Sequence, residues 1–298
     1  MISMNKNFRG AGVALITPFN EDLTIDFEGL GRVVDTQLEN HIDYLVVLGT
    51  TAETATLNNN EKQQIVDFVC KRVNGKIPIV VGIGGNNTQE VINCIRQSDL
   101  KCVDAILSVA PYYNKPTQKG LFQHFKAIAT CSPVPVILYN VPGRTGSNIS
   151  SDTCLELAHE CENIIGVKEA SGDISQIMRI IKGKPENFAL ISGDDMMTIP
   201  IIALGGLGVI SVLANAFPTQ CNEIVSFSMK GNFKSAREMQ FKMLEILDLL
   251  FIEGNPSGVK AMLNVMNICQ NSLRLPLVPV NRTTYTRIQK AIEEVNKS

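Results

Sequence analysis

Eight short, nearly continuous apolar runs recur along the first 215 positions, at 13–19, 44–49, 77–84, 105–111, 135–140, 164–170, 188–194 and 208–215. Apolar residues do not alternate with polar ones inside these runs. Strands covered on both faces, as in a parallel sheet flanked by helices, have this signature. Between the runs lie stretches of helical period. Several open on a residue that caps a helix N-terminus: Asp26 before FEGLGRVVDTQL, Asn58 before NNEKQQIVDFVCKRV, Thr88 before QEVINCIRQ and Ser150 before SDTCLELAHE.

Eight strands, each followed by a helix at intervals of roughly thirty residues, predict an α/β fold of the closed (β/α)8 TIM-barrel type rather than an open doubly wound sheet. After the eighth run only helical pattern remains, near 219–230, 233–252, 256–269 and 282–296. Gly231, the Gly254-Asn255-Pro256 break and the proline-rich LRLPLVPV at 273–280 interrupt it. The expected organisation is a barrel domain over 1–231 and a C-terminal helical region over 232–298. The apolar stripe Met243, Leu244, Leu247, Leu250 and Phe251 then reads as packing or a subunit contact.

A chain with 45% hydrophobic and 19% charged residues can bury a large core. Its formal net charge of −2 offers no broad basic field to phosphate backbones or anionic lipid, so nucleic acid and membrane are not expected partners. The opening MISMNKNFRG lacks an apolar signal core, and the apolar stretch at 244–252 is broken by Glu245 and Asp248. A cytoplasmic setting with an intact N-terminus is expected. Eight cysteines without a C-x-x-C pair, beside three histidines, predict neither a metal site nor a disulfide framework, but reduced cysteines acting as small core hydrophobes.

In a barrel of this kind chemistry sits at the C-terminal ends of the strands, and polar residues there carry most weight. Lys168, in IIGVKEASG, would lose hydration if it pointed inward, and burial disfavours an ammonium, leaving an amine able to attack a carbonyl. A strand-end lysine can equally reach water or pair with Glu169, and the residues alone leave these readings open. Tyr139 and Tyr113 are phenols that can pass protons through a hydroxyl such as Thr51, or simply wall the barrel. Thr50 and Thr51 follow Gly49 in a turn whose N–H groups suit a small carboxylate, or only cap a loop. Arg144, on the loop YNVPGRTG over the same face, is a bidentate carboxylate partner or a solvated arginine. The glycine clusters GIGGN and GGLG do not complete a dinucleotide-binding pattern.

GAGVALITPF, GTTAETATLN, APYYNKPTQKGLFQHF, ILYNVPGRTG, GVKEASGD, SGDD and GVISVLAN, each at its expected strand, together resemble the dihydrodipicolinate synthase (4-hydroxy-tetrahydrodipicolinate synthase) family of the pyruvate-dependent class I aldolases and lyases. The resemblance runs from about residue 10 to LRLPLVPV near 280. It implies a lyase of lysine and diaminopimelate biosynthesis that condenses pyruvate with L-aspartate 4-semialdehyde and needs no cofactor or metal. Lys168 would form the Schiff base, Tyr139 would act as general acid and base, and Thr51 would link Tyr139 to Tyr113 of a neighbouring subunit in a homotetramer built as a dimer of dimers. Thr50 and Thr51 would hold the pyruvate carboxylate, Gly193 and Ile210 would line the pocket, and Arg144 would bind the carboxylate of the semialdehyde.

The usual GTTGES of the family reads GTTAET here, with Ala52 and Thr54. The lysine-feedback site of sensitive members maps to Thr54, Ala55, Asn59, Lys62, Asn86, Glu90 and Tyr112. A fixed positive charge at Lys62 opposes a cationic effector, although Glu90 attracts it, so weak or absent inhibition by L-lysine is expected. N-acetylneuraminate lyase or another pyruvate-dependent aldolase would reuse Lys168 and Tyr139; Arg144 and the double threonine argue against it. A non-catalytic sensor would have little need of the full residue set, and the acidic SGDD argues against a phosphate-handling barrel.

Overall fold

The computed structural model describes residues 8–297, so the expectation for the extreme N-terminus falls largely outside the described residues. Eight parallel strands close into a barrel in sequential order: β1 (Gly10–Ala14), β2 (Tyr44–Val47), β3 (Ile79–Gly82), β4 (Ala105–Val109), β5 (Val136–Asn140), β6 (Ile164–Glu169), β7 (Ala189–Ser192) and β8 (Gly208–Ser211). β1 pairs with both β2 and β8, so the sheet has no free edge.

Every strand lies inside or against its predicted apolar run except β1, which begins three residues earlier and ends at Ala14. Leu15, Ile16 and Phe19 are nonetheless buried, packed in the layer between strands and helices, which explains why the run read as strand.

The strands divide their side chains between two apolar layers. Val13, Leu45, Val81, Ile106, Leu138, Val167 and Leu190 face the helices, while Val46, Val80, Leu107, Ile137, Ile191 and Ile210 fill the barrel axis. Tyr44 fills the axis near the start of the strands, and Gly12 makes that possible: a Cβ there would lie 2.3 Å from the Tyr44 ring.

β5 and β6 meet through an irregularity. Val136 pairs with Ile164 and Ile137 with Gly166, so Ile165 has no partner across the ladder. One extra residue reverses which face the following side chains address. Ile164 and Val167 accordingly both face the helices, and Lys168 is sent inward.

Helices follow the strands, and the predicted caps at Asp26, Asn58 and Ser150 accept from backbone N–H groups; Asn58 completes a capping box with Glu61. The third cap is Asn87, not Thr88, because the Asn87 carboxamide accepts from Gln89 and Glu90 while the Thr88 hydroxyl bonds His124 Nδ1 at 2.9 Å. Beyond β8, Pro218–Met229 completes the eighth unit.

The stretch predicted as one helix over 233–252 divides into Phe233–Lys242 and Leu244–Phe251, and Ser257–Val265 and Arg282–Lys297 follow. In the apolar stripe Met243, Leu247 and Leu250 are buried, whereas Leu244 and Phe251 stay largely exposed. No helix among the described residues is long and apolar enough to cross a membrane.

The expectation that all cysteines are reduced core residues is corrected. Cys70 and Cys102 form a disulfide with Cα atoms 6.0 Å apart, joining the end of helix Asn59–Val73 to the segment before β4. Their separation of 32 residues hides this from spacing rules, because the fold alone brings the two segments together. Cys154, Cys161, Cys221 and Cys269 are buried as expected, but Cys94 is exposed and Cys131 half-buried.

Candidate active site

The C-terminal ends of β5, β6 and β7 bring Tyr139 and Gly193 against Lys168. Tyr139 and Lys168 are register partners on β5 and β6, and Lys168 pairs onward with Ile191 on β7. Lys168 is only 5% exposed, and its Nζ stands 4.3 Å from the centre of the Tyr139 ring. The amine lies over an aromatic face and is largely cut off from bulk water.

Gly193 provides the room. A Cβ at that position would fall 3.1 Å from both Cγ and Cε of Lys168 and 2.7 Å from the Cβ of Ala170. Ile210, 1% exposed, closes the axis from β8.

Lys168 does not pair with Glu169. The neighbouring carboxylate points away into a buried network, accepting from Asn140 Nδ2 at 3.1 and 3.2 Å, Gln176 Nε2 at 3.1 Å and the backbone N–H of Ser171 at 2.8 Å. Successive residues of a strand face opposite sides, so the alternative of a local ion pair is closed geometrically. The second acidic residue of SGDD is likewise structural: Asp195 accepts from the Ser211 hydroxyl and from the N–H groups of Val212 and Leu213. It ties the end of β7 to β8, and its burial raises the carboxyl pKa above the usual range.

The turn after β2 is a short 3-10 helix, Thr50–Ala52, in which Thr50 is exposed and Thr51 is 2% exposed. Three contacts from the C-terminal region hold this turn and its end at Glu53. Asn255 Nδ2 donates to Thr51 Oγ1 at 2.9 Å. Glu53, in left-handed conformation with φ 54°, accepts from the Lys260 ammonium and from the Arg274 N–H, and the Lys260–Glu53 pair is fully buried. Lys260 and Arg274 also lie over the Phe19 ring at 4.1 and 4.5 Å, and Arg274 grips Glu61 through both guanidinium NH groups. Sequence reasoning missed Asn255, Glu53 and Lys260: the Gly-Asn-Pro break signals only a helix end, and nothing in the sequence marks residues 207 apart as partners.

A cleft of about 1070 Å³ opens beside Tyr139. Tyr139 joins this cleft to Lys168, since its ring faces Lys168 and the residue also lines the cleft with Thr50, Arg144 and Asn255. Arg144, in the short helix Pro142–Thr145, is exposed. All seven residues mapped to the feedback site, Thr54, Ala55, Asn59, Lys62, Asn86, Glu90 and Tyr112, line the same cleft. Tyr113 does not. It is 88% exposed, on a loop where its φ is 72° and Asn86 and Asn114 cross-bond the neighbouring backbone.

Comparison with known proteins gives one consistent match. The dihydrodipicolinate synthetase family model matches residues 7–295. A protein of Azobacteroides pseudotrichonymphae named 4-hydroxy-tetrahydrodipicolinate synthase is 54% identical over 284 residues, covering 95% of this chain and 96% of its own. One of the same name from Parabacteroides distasonis is 51% identical over 290 residues, covering 97% and 98%. Among solved structures, the dihydrodipicolinate synthase of Thermotoga maritima superposes with a TM-score of 0.95 at 40% identity, covering 98% of this chain and 99% of that one.

Proposed function

Because the chain belongs to the dihydrodipicolinate synthetase family, we propose that Lys168 is the residue on which its reaction runs. The activity is that of a 4-hydroxy-tetrahydrodipicolinate synthase, a lyase-type enzyme of the diaminopimelate route to lysine whose substrates are pyruvate and L-aspartate 4-semialdehyde.

The Lys168 amine adds to the pyruvate ketone and water departs, leaving an iminium. That cation draws electrons from the adjacent C–H bonds, so a methyl proton is lost and an enamine forms. The enamine carbon attacks the aldehyde, and the new alkoxide takes up a proton. The substrate's own amine then adds to the iminium carbon, closes the ring and expels Lys168 as a free amine.

Tyr139 acts as the general acid and base, because its ring already lies against Lys168. Thr50 and Thr51 hold the pyruvate carboxylate, Gly193 and Ile210 shape the pocket, and Arg144 reaches over the cleft to the carboxylate of the second substrate. Thr51 relays protons between Tyr139 and a tyrosine that this subunit cannot supply to itself. Tyr113, 88% exposed and outside the cleft lining, serves a neighbour's site on this reading, within a homotetramer of two dimers, as the family resemblance implies. The C-terminal region, with its boundary at 231/232, steadies the catalytic turn. The cytoplasmic setting expected from the sequence belongs to the same reading.

The observation that carries this is the buried amine beside the Tyr139 ring. The discriminating assay offers aspartate semialdehyde with pyruvate in one arm and N-acetylneuraminate in the other. Condensation in the first and no cleavage in the second is the expected result, and sialic acid cleavage at a comparable rate would overturn the acceptor assignment. In the first arm Arg144→Ala should raise KM for the semialdehyde by about tenfold or more, the effect of losing a charge-assisted contact.

Inhibition by L-lysine is weak or absent on this account, since Lys62 brings positive charge to the cleft that an effector ammonium must enter. Half-inhibition at micromolar L-lysine would contradict it.

A further inference from the structure

We propose that Glu169 is a positioning residue for the second substrate: its buried carboxylate anchors the base of the loop that carries Arg144, and so sets where that guanidinium meets a substrate carboxylate. The inference rests on the role given above to Arg144.

Glu169 follows Lys168 on β6 and pairs across the ladder with Asn140, the residue after Tyr139 on β5. Both are buried, and both address the face opposite to that of Tyr139 and Lys168. Asn140 Nδ2 donates to Asn148 Oδ1 at 2.8 Å, and Asn140 Oδ1 accepts from the Ile149 N–H at 2.9 Å, which closes 141–148 into a loop standing on Asn140. The Asn148 and Gln176 carboxamides bond each other at 2.9 and 3.3 Å, and Gln176 Nε2 donates to Glu169. One carboxylate thus ties the loop base to the strand of Lys168.

Above this base the loop is a small braced unit. Pro142–Thr145 is helical, and the buried Thr145 hydroxyl bonds the Ser147 carbonyl at 2.8 Å and accepts from the Ser147 N–H at 3.1 Å. Among the described residues no hydrogen bond or ion pair holds the Arg144 guanidinium, so its place comes from the backbone that carries it. A tilt at the base is passed on to Arg144.

A carboxylate suits the anchor because it accepts at both oxygens. Oε1 of Glu169 takes Asn140 Nδ2 and the Ser171 N–H, and Oε2 takes Asn140 Nδ2 and Gln176 Nε2. An amide in its place would turn an NH2 toward these donors. Gln118 Nε2 also donates to the Asn148 carbonyl at 2.8 Å, so loss of the anchor tilts the loop without releasing it.

The test uses the full-length enzyme and compares Glu169→Gln, Asn148→Ala, Arg144→Ala and the double variant Glu169→Gln/Arg144→Ala with the parent. It reads the melting temperature, KM for each substrate and pyruvate trapping on Lys168 by borohydride. Glu169→Gln and Asn148→Ala should each raise KM for the semialdehyde by about threefold to tenfold, with KM for pyruvate and the extent of trapping within about twofold of the parent. In the Arg144→Ala background Glu169→Gln should add less than about twofold, because the group it positions is gone.

A semialdehyde KM within about twofold of the parent in both folded single variants would overturn the inference. So would an equal rise with and without Arg144, which would mean that the network acts on the fold at large, or a parallel loss of trapping, which would mean that it acts on Lys168. Should Glu169→Gln not fold, Asn148→Ala alone and combined with Arg144→Ala decides by the same criteria. If Arg144→Ala alone leaves the semialdehyde KM unchanged, the role of Arg144 has failed and the inference falls with it, an outcome that this single variant reports separately.

Discussion

Lys168 Nζ stands 4.3 Å from the centre of the Tyr139 ring, and the two residues are direct partners across β5 and β6. The proposed nucleophile and its proposed proton carrier are therefore held on adjacent strands rather than on loops. Their alignment depends on the ladder irregularity at Ile165, which turns Lys168 toward the axis and Glu169 toward the helices.

The space for the Lys168 stem depends on Gly193. Gly193→Ala would bring a methyl group to 3.1 Å from two carbons of Lys168 and 2.7 Å from the Ala170 Cβ. Overpacking of this kind costs about 1–3 kcal/mol, and displacement of a reacting atom slows chemistry on the order of tenfold to a hundredfold. Stopped-flow measurement of iminium formation should show the loss. An unchanged rate would mean that the lysine stem does not depend on that gap.

The buried Lys260–Glu53 pair should behave as a coupled unit. Burial pushes the Lys260 ammonium below its usual pKa, with Glu53 opposing that shift. Removing one partner leaves a charge stranded in a dry site, so Lys260→Met should lower unfolding free energy by about 3–5 kcal/mol. Combining it with Glu53→Gln removes the stranded charge and should restore much of the loss. Urea denaturation of the four proteins measures the coupling, and strictly additive effects would contradict it.

His124 provides a pH-dependent contribution. Burial pushes its pKa down to about 4, while the unfolded chain titrates near the ordinary histidine value. The folded state thus binds fewer protons than the unfolded one between these values, and stability falls as pH drops from about 6.5 toward 4. At pH 5 the loss assignable to this residue is about 2 kcal/mol. His124→Gln should remove that part of the acid sensitivity, seen as a smaller difference between urea midpoints at pH 7 and pH 5. Equal pH sensitivity in parent and variant would show that other groups dominate.

The fold was legible because strands covered on both faces leave continuous apolar runs, and helix starts leave caps such as Asp26, Asn58 and Ser150. What escaped depends on packing between distant segments. The extra residue at Ile165 has no local signature in an apolar run, so the inward aim of Lys168 could not be read from alternation. The Cys70–Cys102 bridge and the Lys260–Glu53 pair join residues 32 and 207 positions apart. In the site, Tyr139 and Gly193 lie against Lys168 while Tyr113 stands apart on an exposed loop, and Asn255 looked like a helix breaker because its partner, Thr51, is 204 residues away.

The central claim is that pyruvate is captured by Lys168, and the most direct measurement is to treat the enzyme with pyruvate and borohydride and locate the reduced adduct by peptide mass spectrometry. The account predicts a single adduct on Lys168, absent from a folded Lys168→Arg variant that is also inactive. An adduct on a different lysine, or a Lys168→Arg enzyme that turns over at the parent's rate, would contradict it.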